Sequence, residues 1–183
     1  GDGGTATLIK SQENSDLAIF DFGNDGEKFN DLIIPYGGMK NPTNNDSCIL
    51  KDYEPGISRS DNDLFMDGFS IMNFAIKRVP KSISNVSVCV KEKIDRYYLH
   101  QANKFMIDYL VKKMKIDKSL VPFTANEIGN TGPASIPIAI CIDFLNGLKP
   151  KKAILSGFGV GLSWATCNVD LSKIEYSHIN SNH

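Results

Sequence analysis

The run Arg-Tyr-Tyr-Leu at residues 96–99 is short and apolar, and the spacing after it changes from alternation to a helical repeat. Ala102, Phe105, Met106, Tyr109 and Leu110 fall on one face, with Lys104, Asp108, Lys112 and Lys115 on the other. A strand that hands over to a helix at His100 has to bury one face of each element, which restricts the chain to layered architectures. The same alternation recurs downstream. Residues 135–145 carry a helical stripe of Ile136, Ala139, Ile140 and Phe144, and residues 153–156 and 162–169 read as strands. Interleaved strands and helices predict an α/β fold, a mixed β-sheet layered between α-helices.

The flanks are less regular. Residues 5–9 and 17–21 read as strands around a polar turn. Residues 23–63 are rich in Gly, Asn, Asp and Pro, with only 32–35 strand-like, so an irregular surface excursion is expected. Phe65, Phe69, Met72, Ile76 and Val79 then follow at helical spacing across residues 64–79, and Pro80 marks an end or a kink. Residues 123–127 read as short and extended, followed by the turn-rich loop Gly129-Asn130-Thr131-Gly132-Pro133. The polar tail beyond Leu171 is expected to fray.

With 183 residues, 42% of them hydrophobic, the chain suits one compact unit with its own core. A net charge of -1 provides no field to gather nucleic acid or an anionic membrane. No apolar run reaches the length that spans a bilayer. Cys48, Cys89, Cys141 and Cys167 are far apart and form no CxxC pair, which suggests neither zinc nor a disulfide framework and fits a cytoplasmic location. The opening Gly-Asp-Gly-Gly lacks a methionine and runs into β-forming residues, as in a chain entered midway.

His100 is the first candidate for chemistry, because residues at the carboxyl end of a strand project into the crevice of an α/β sheet. A lone histidine there is more often a packing or capping residue, and Asn130 beside Gly129 is by itself an ordinary turn former. Both follow a strand-like run and precede a helix, however, so they are placed to aim two N–H donors at one developing oxyanion. The segment 157–161, Gly-Phe-Gly-Val-Gly, leads into a strand and lacks a Lys-Ser/Thr pair, which argues against a nucleotide loop. Its small residues allow close approach to a ligand, with the Val160 N–H as a further donor; a tight hairpin is the plain alternative. Lys104, Lys112, Lys113 and Lys115 fit an acidic partner or a phosphate tail, or simply a solvated face. His178 and His183 stand in the tail, away from any metal-ligand pattern with His100.

Three segments together resemble the ketoacyl synthase III family of the thiolase superfamily. They are Leu99-His100-Gln101-Ala102-Asn103, Gly129-Asn130-Thr131 with Ala134-Ser135-Ile136-Pro137, and Phe158-Gly159-Val160-Gly161-Leu162-Ser163-Trp164. Their order and spacing match the family, and the resemblance extends over nearly all of residues 1–183, most weakly over 23–63. It implies the C-terminal half of a thiolase-like fold, with residues 1–10 as the last strand region of the N-terminal half and the nucleophilic cysteine on that half.

The implied reaction is a decarboxylative Claisen condensation between an acyl thioester and malonyl-acyl carrier protein, in fatty-acid or related biosynthesis. By the resemblance, His100 and Asn130 are catalytic, Val160 donates to the acyl oxyanion where the family more usually has glycine, and Gly68 and Asn103 line the pantetheine channel. Gln101, Ala102, Asn103, Lys104 and Phe105 form the carrier-docking segment, with Phe105 where the family often has arginine. The implied substrates are acyl-CoA and malonyl-acyl carrier protein, with no cofactor and no metal. The implied partners are the carrier protein, the N-terminal half and a second copy in a homodimer. Other readings are a non-catalytic scaffold homologue and another thiolase-superfamily synthase, such as a hydroxymethylglutaryl-CoA synthase or one of secondary metabolism.

Overall fold

The computed structural model describes residues 1–10, 13 and 17–176. In chain order its elements are β1 (Phe20–Asn24), β2 (Leu32–Ile33), β3 (Lys51–Glu54), β4 (Ile57–Arg59), β5 (Phe65–Met66), α1 (Gly68–Ser87), β6 (Arg96–Leu99), α2 (Lys104–Met114), α3 (Ala125–Ile128), α4 (Ser135–Leu145), β7 (Lys152–Gly159) and β8 (Ser163–Asp170). Short 3-10 turns punctuate the loops. The described chain groups into two compact units: one of residues 1–23, 75–158 and 164 onward, the other of residues 24–74 and 159–163.

The first unit is built on a four-stranded sheet in the order β1-β8-β7-β6. β6 and β7 run parallel, from Arg96 opposite Ala153 to Leu99 opposite Ser156. β7 and β8 are sequential neighbours joined by a tight turn, so the sheet is mixed. Side chains alternate across a strand, and the two faces meet different helices. On one face Tyr98, Ala153, Leu155, Val169 and Leu171 pack with Ile136, Ala139, Ile140 and Phe144 of α4. On the other, Ser82 of α1 donates to Thr166 Oγ1 at 2.8 Å, and Thr166 in turn shares a 2.8 Å hydrogen bond with Ser156. All three hydroxyls are buried, and each is satisfied by the next.

The second unit is assembled from short pairings. β2 pairs antiparallel with β5, and β3 with β4 across a bulge between Asp52 and Glu54. The Arg59 guanidinium sits 3.8 Å from the Tyr53 ring centroid and 4.3 Å from that of Phe65, a cation held between two aromatic faces. Asp25 and Leu162 exchange two backbone hydrogen bonds of 2.7 and 3.1 Å, and Ser163 Oγ donates to Asn24 Oδ1 at 2.6 Å.

Several expected elements take other bounds. Residues 5–9 form no strand; Leu8 and Ile9 are exposed, and no neighbouring strand among the described residues offers them a ladder. The strand expected at 17–21 starts at Phe20, and the backbone N–H of Ile19 goes instead to the side chain of Asn168. Residues 23–63 hold β2 and the β3–β4 hairpin, whose residues are exposed except for Arg59 and so lack the apolar alternation that marks a strand.

Helix α1 begins at Gly68 and passes through Pro80 to Ser87. Its buried apolar residues are Ile71, Phe74, Ala75, Val79, Ile83 and Val86, while Phe69 is exposed and Phe65 belongs to β5. Residues 125–128 are helical rather than extended. Gly157, Phe158 and Gly159 continue β7. The tail after 176, with His178 and His183, lies outside the described residues.

Candidate active site

β6 ends at Leu99, and the ladder continues for one further bond: the His100 N–H donates to the Ser156 carbonyl of β7 at 2.9 Å. The backbone of His100 is thereby fixed to the sheet while its side chain leaves at the strand's carboxyl edge. Helix α2 starts only at Lys104, leaving a loop from His100 to Asn103 rather than a direct handover. Asn103 closes that loop as the N-cap, its Oδ1 accepting the Met106 N–H at 2.8 Å. The face of α2 that is buried is Met106, Ile107, Leu110 and Val111, one step round from the expected stripe; Phe105 is 71% exposed and Tyr109 is also exposed.

Gln101 braces the loop from inside. It is buried, its Nε2 donates to the carbonyls of Leu99 at 2.8 Å and Pro122 at 3.3 Å, and its Oε1 accepts the Thr124 N–H at 2.8 Å. One amide thus ties the end of β6 to the residues that lead into α3. α3 stops at Gly129, whose φ of 71° and ψ of -171° suit glycine and strain other residues. The chain then turns through Asn130 into the 3-10 segment Gly132–Ala134 that opens α4.

This turn brings the Asn130 loop to His100. Asn130 Oδ1 accepts the Gly132 N–H at 3.0 Å, which occupies the acceptor end of the amide and leaves the Nδ2 donor end. The Gly132 backbone hydrogen-bonds the His100 ring. Ser135 Oγ lies 3.0 Å from His100 Nδ1, and the Phe158 ring meets the imidazole edge-on, with centroids 5.4 Å apart at 85°. Burial holds the imidazole pKa below its usual range, and the Gly132 bond acts more weakly in the other direction. A neutral imidazole and an amide amine near one strand edge can supply uncharged N–H donors to an oxygen that gains negative charge.

Residues 87–171 match the family model described as 3-oxoacyl-[acyl-carrier-protein] synthase III C terminal, a span that contains His100, Asn130, Ser135 and Phe158. That stretch is similar to the C-terminal part of the 3-oxoacyl-[acyl-carrier-protein] synthase III family. A putative 3-oxoacyl-[acyl-carrier-protein] synthase 3 of Campylobacter jejuni is 33% identical over 98% of this chain and 51% of its own length. The β-ketoacyl-[acyl-carrier-protein] synthase III of Lactococcus lactis is 32% identical over 93% of this chain and 52% of its own. The chain therefore spans about half the length of these relatives. Among solved structures, a 3-oxoacyl-(acyl-carrier-protein) synthase III superposes with a TM-score of 0.82 at 34% identity, over 88% of this chain and 50% of that one. A Burkholderia xenovorans synthase gives 0.71, also at 34% identity, over 84% and 44%. The fold is that of the thiolase-like synthase III enzymes, with the mixed sheet between helices described above.

Of the remaining expected residues, Ala102, Lys104 and Phe105 stand with His100 in the first unit, around the start of α2. Lys104 lies 3.6 Å from Asp108 and over the Phe123 ring. Gly68 and Val160 belong to the second unit, Gly68 at the first position of α1 and Val160, exposed, in the turn after β7. Ser135 and Phe158 were in the quoted motifs without a role. The signal for Ser135 is a polar residue on the first turn of a largely apolar helix, a position that needs a polar partner when it is buried.

Proposed function

We propose that this chain is the half of a condensing synthase that stabilises the enolate of malonyl-acyl carrier protein, in a decarboxylative Claisen condensation with an acyl thioester. The observation that carries the reading is the pairing of a half-buried, neutral imidazole with the Asn130 loop at the carboxyl edge of β6. Loss of carbon dioxide from the malonyl thioester leaves an enolate whose oxygen gains charge as the carbon–carbon bond breaks. Donors fixed in advance strengthen with that charge, and each such donor contributes about 2.7–4 kcal/mol to lowering the barrier.

On this reading the acyl group is first carried on a cysteine of the N-terminal half. The enolate carbon attacks the acyl carbonyl, and the cysteine leaves as thiolate. The Val160 N–H is the proposed donor to the acyl oxyanion, and Gly68 and Asn103 are proposed to line the pantetheine path. The segment from Gln101 to Phe105 is proposed to receive the carrier protein. The complete enzyme is proposed to act as a cytoplasmic homodimer in fatty-acid or related biosynthesis, without a cofactor. Among the described residues no helix is long and apolar enough to cross a membrane.

The test is to make His100→Ala and Asn130→Ala in the full-length synthase and follow the half-reactions separately. Carbon dioxide release from malonyl-acyl carrier protein should fall by about a hundredfold or more, while intact-mass spectrometry still detects the acyl-cysteine adduct. Equal loss of loading and decarboxylation would remove the assignment.

A further inference from the structure

Ser135 is buried to 1% exposure at the first position of α4, whose other buried residues are Ala139, Ile140, Asp143 and Phe144. Among the described residues its hydroxyl has two side-chain or backbone partners. One is His100 Nδ1 at 3.0 Å, and the other is the Gln101 N–H, which donates to it at 3.4 Å. A hydroxyl has one hydrogen and two lone pairs. A backbone N–H can only donate, so Gln101 takes a lone pair of Ser135 Oγ. With water excluded by burial, the serine hydrogen is satisfied by an acceptor at Nδ1. Were Nδ1 protonated instead, two donors would converge on the oxygen and the serine hydrogen would be left unpaired in the interior.

We propose that Ser135 is the positioning residue of His100: it donates to Nδ1, fixes the neutral tautomer with hydrogen on Nε2, and so turns the donor nitrogen toward the substrate oxygen. The proposal rests on the reading of His100 as an enolate donor for its catalytic meaning, but the tautomer stands apart from it. The two nitrogens of an imidazole are not equivalent, and the bond made by one decides what the other presents. Phe158, edge-on to the ring, and the backbone bond of His100 to Ser156 fix the plane and the origin of the ring. Ser135 then decides which way the proton faces: with Nδ1 taken as the acceptor of the serine hydrogen, the N–H held by the Gly132 backbone is that of Nε2, and the substrate oxygen takes it over from Gly132. Its bond to the Gln101 N–H holds the hydroxyl in place, and Gln101 is in turn held through its amide.

The experiment is nitrogen-15 NMR of histidine-labelled full-length synthase, with His100 assigned by its disappearance in His100→Gln, combined with decarboxylation kinetics on malonyl-acyl carrier protein. In the wild type, Nδ1 should give the signal of an unprotonated nitrogen and Nε2 that of a protonated one. Ser135→Ala should yield a mixture of tautomers and lower the decarboxylation kcat by about tenfold, with KM for the thioester unchanged. Ser135→Thr, which keeps the hydroxyl, should restore both. A protonated Nδ1 in the wild type overturns the proposal without need of any variant. So does a Ser135→Ala enzyme with unchanged tautomer and kcat. If His100→Ala kept full decarboxylation, the catalytic reading would fall, and the wild-type spectrum would still decide the tautomer.

Discussion

Arg96 and Asp143 join the strand that delivers His100 to the helix that begins at Ser135. The guanidinium meets the carboxylate through Nε at 2.7 Å and Nη2 at 2.8 Å, and the Tyr98 hydroxyl donates to the same carboxylate at 2.8 Å. A further guanidinium nitrogen, Nη1, donates to the Ser119 carbonyl. Burial, and then the bond to Asp143, push the Tyr98 phenol well above its usual range, so Tyr98 keeps its proton at neutral pH and donates it to Asp143.

Removing one partner leaves the other charge buried. Asp143→Ala in the full-length enzyme should cost about 3–5 kcal/mol, read as a lower urea midpoint. The double variant Arg96→Met with Asp143→Leu should recover part of the loss, since it removes both charges. A single variant that unfolds at the wild-type midpoint would show that the pair contributes nothing.

His100 also gives a pH signature. Its folded pKa lies below the ordinary histidine value of about 6.5 because burial disfavours the imidazolium. The unfolded chain therefore binds a proton first as pH falls. This share of stability is full above pH 6.5 and is lost as pH drops from there toward the folded value. His100→Gln lacks the penalty, so its thermal midpoint should fall less than that of the wild type between pH 7.5 and pH 5.5. Parallel curves would contradict the shift.

Asn103 caps α2 through its side-chain oxygen. Asn103→Ala should lower stability by about 1 kcal/mol, while Asn103→Asp, also a good cap, should stay near wild type. If Asn103 additionally contacts pantetheine, the aspartate variant will show a raised KM for acyl-CoA at unchanged stability.

Phe105 is exposed on the outer side of α2 beside Lys104. Phe105→Ala should raise KM for malonyl-acyl carrier protein by about three- to tenfold, in the range of a contributing interface side chain, and leave loading from acyl-CoA unchanged. An unaltered KM would take Phe105 out of the docking segment.

The layered fold was legible because the switch of spacing around residues 96–110 and the stripe on α4 are both strong. The stripe of α4 packs into the core as read, with Ile136 partly buried. The faces of α1 and α2 were harder, because each has apolar residues on more than one side. Phe69 and Phe105 are core residues by type, yet Ile71 and Ile107, each two positions on, are the ones buried, and tertiary packing chooses between them. The β3–β4 hairpin escaped because solvent-facing strands carry no alternation. Around the candidate site, His100 and Asn130 stood out through motifs. Ser135 did not, since a serine at a helix start reads as a cap until its 3.0 Å contact with an imidazole is seen.

The single amide of Gln101 has a practical consequence for recombination among homologues. Because it holds Leu99, Pro122 and Thr124 together, the stretch from β6 to the start of α3 behaves as one cassette, and a crossover placed inside it would pair a loop with foreign contacts on every side. The β3–β4 hairpin, exposed on all but Arg59, is the natural seam: a swapped or lengthened turn there disturbs no buried partner.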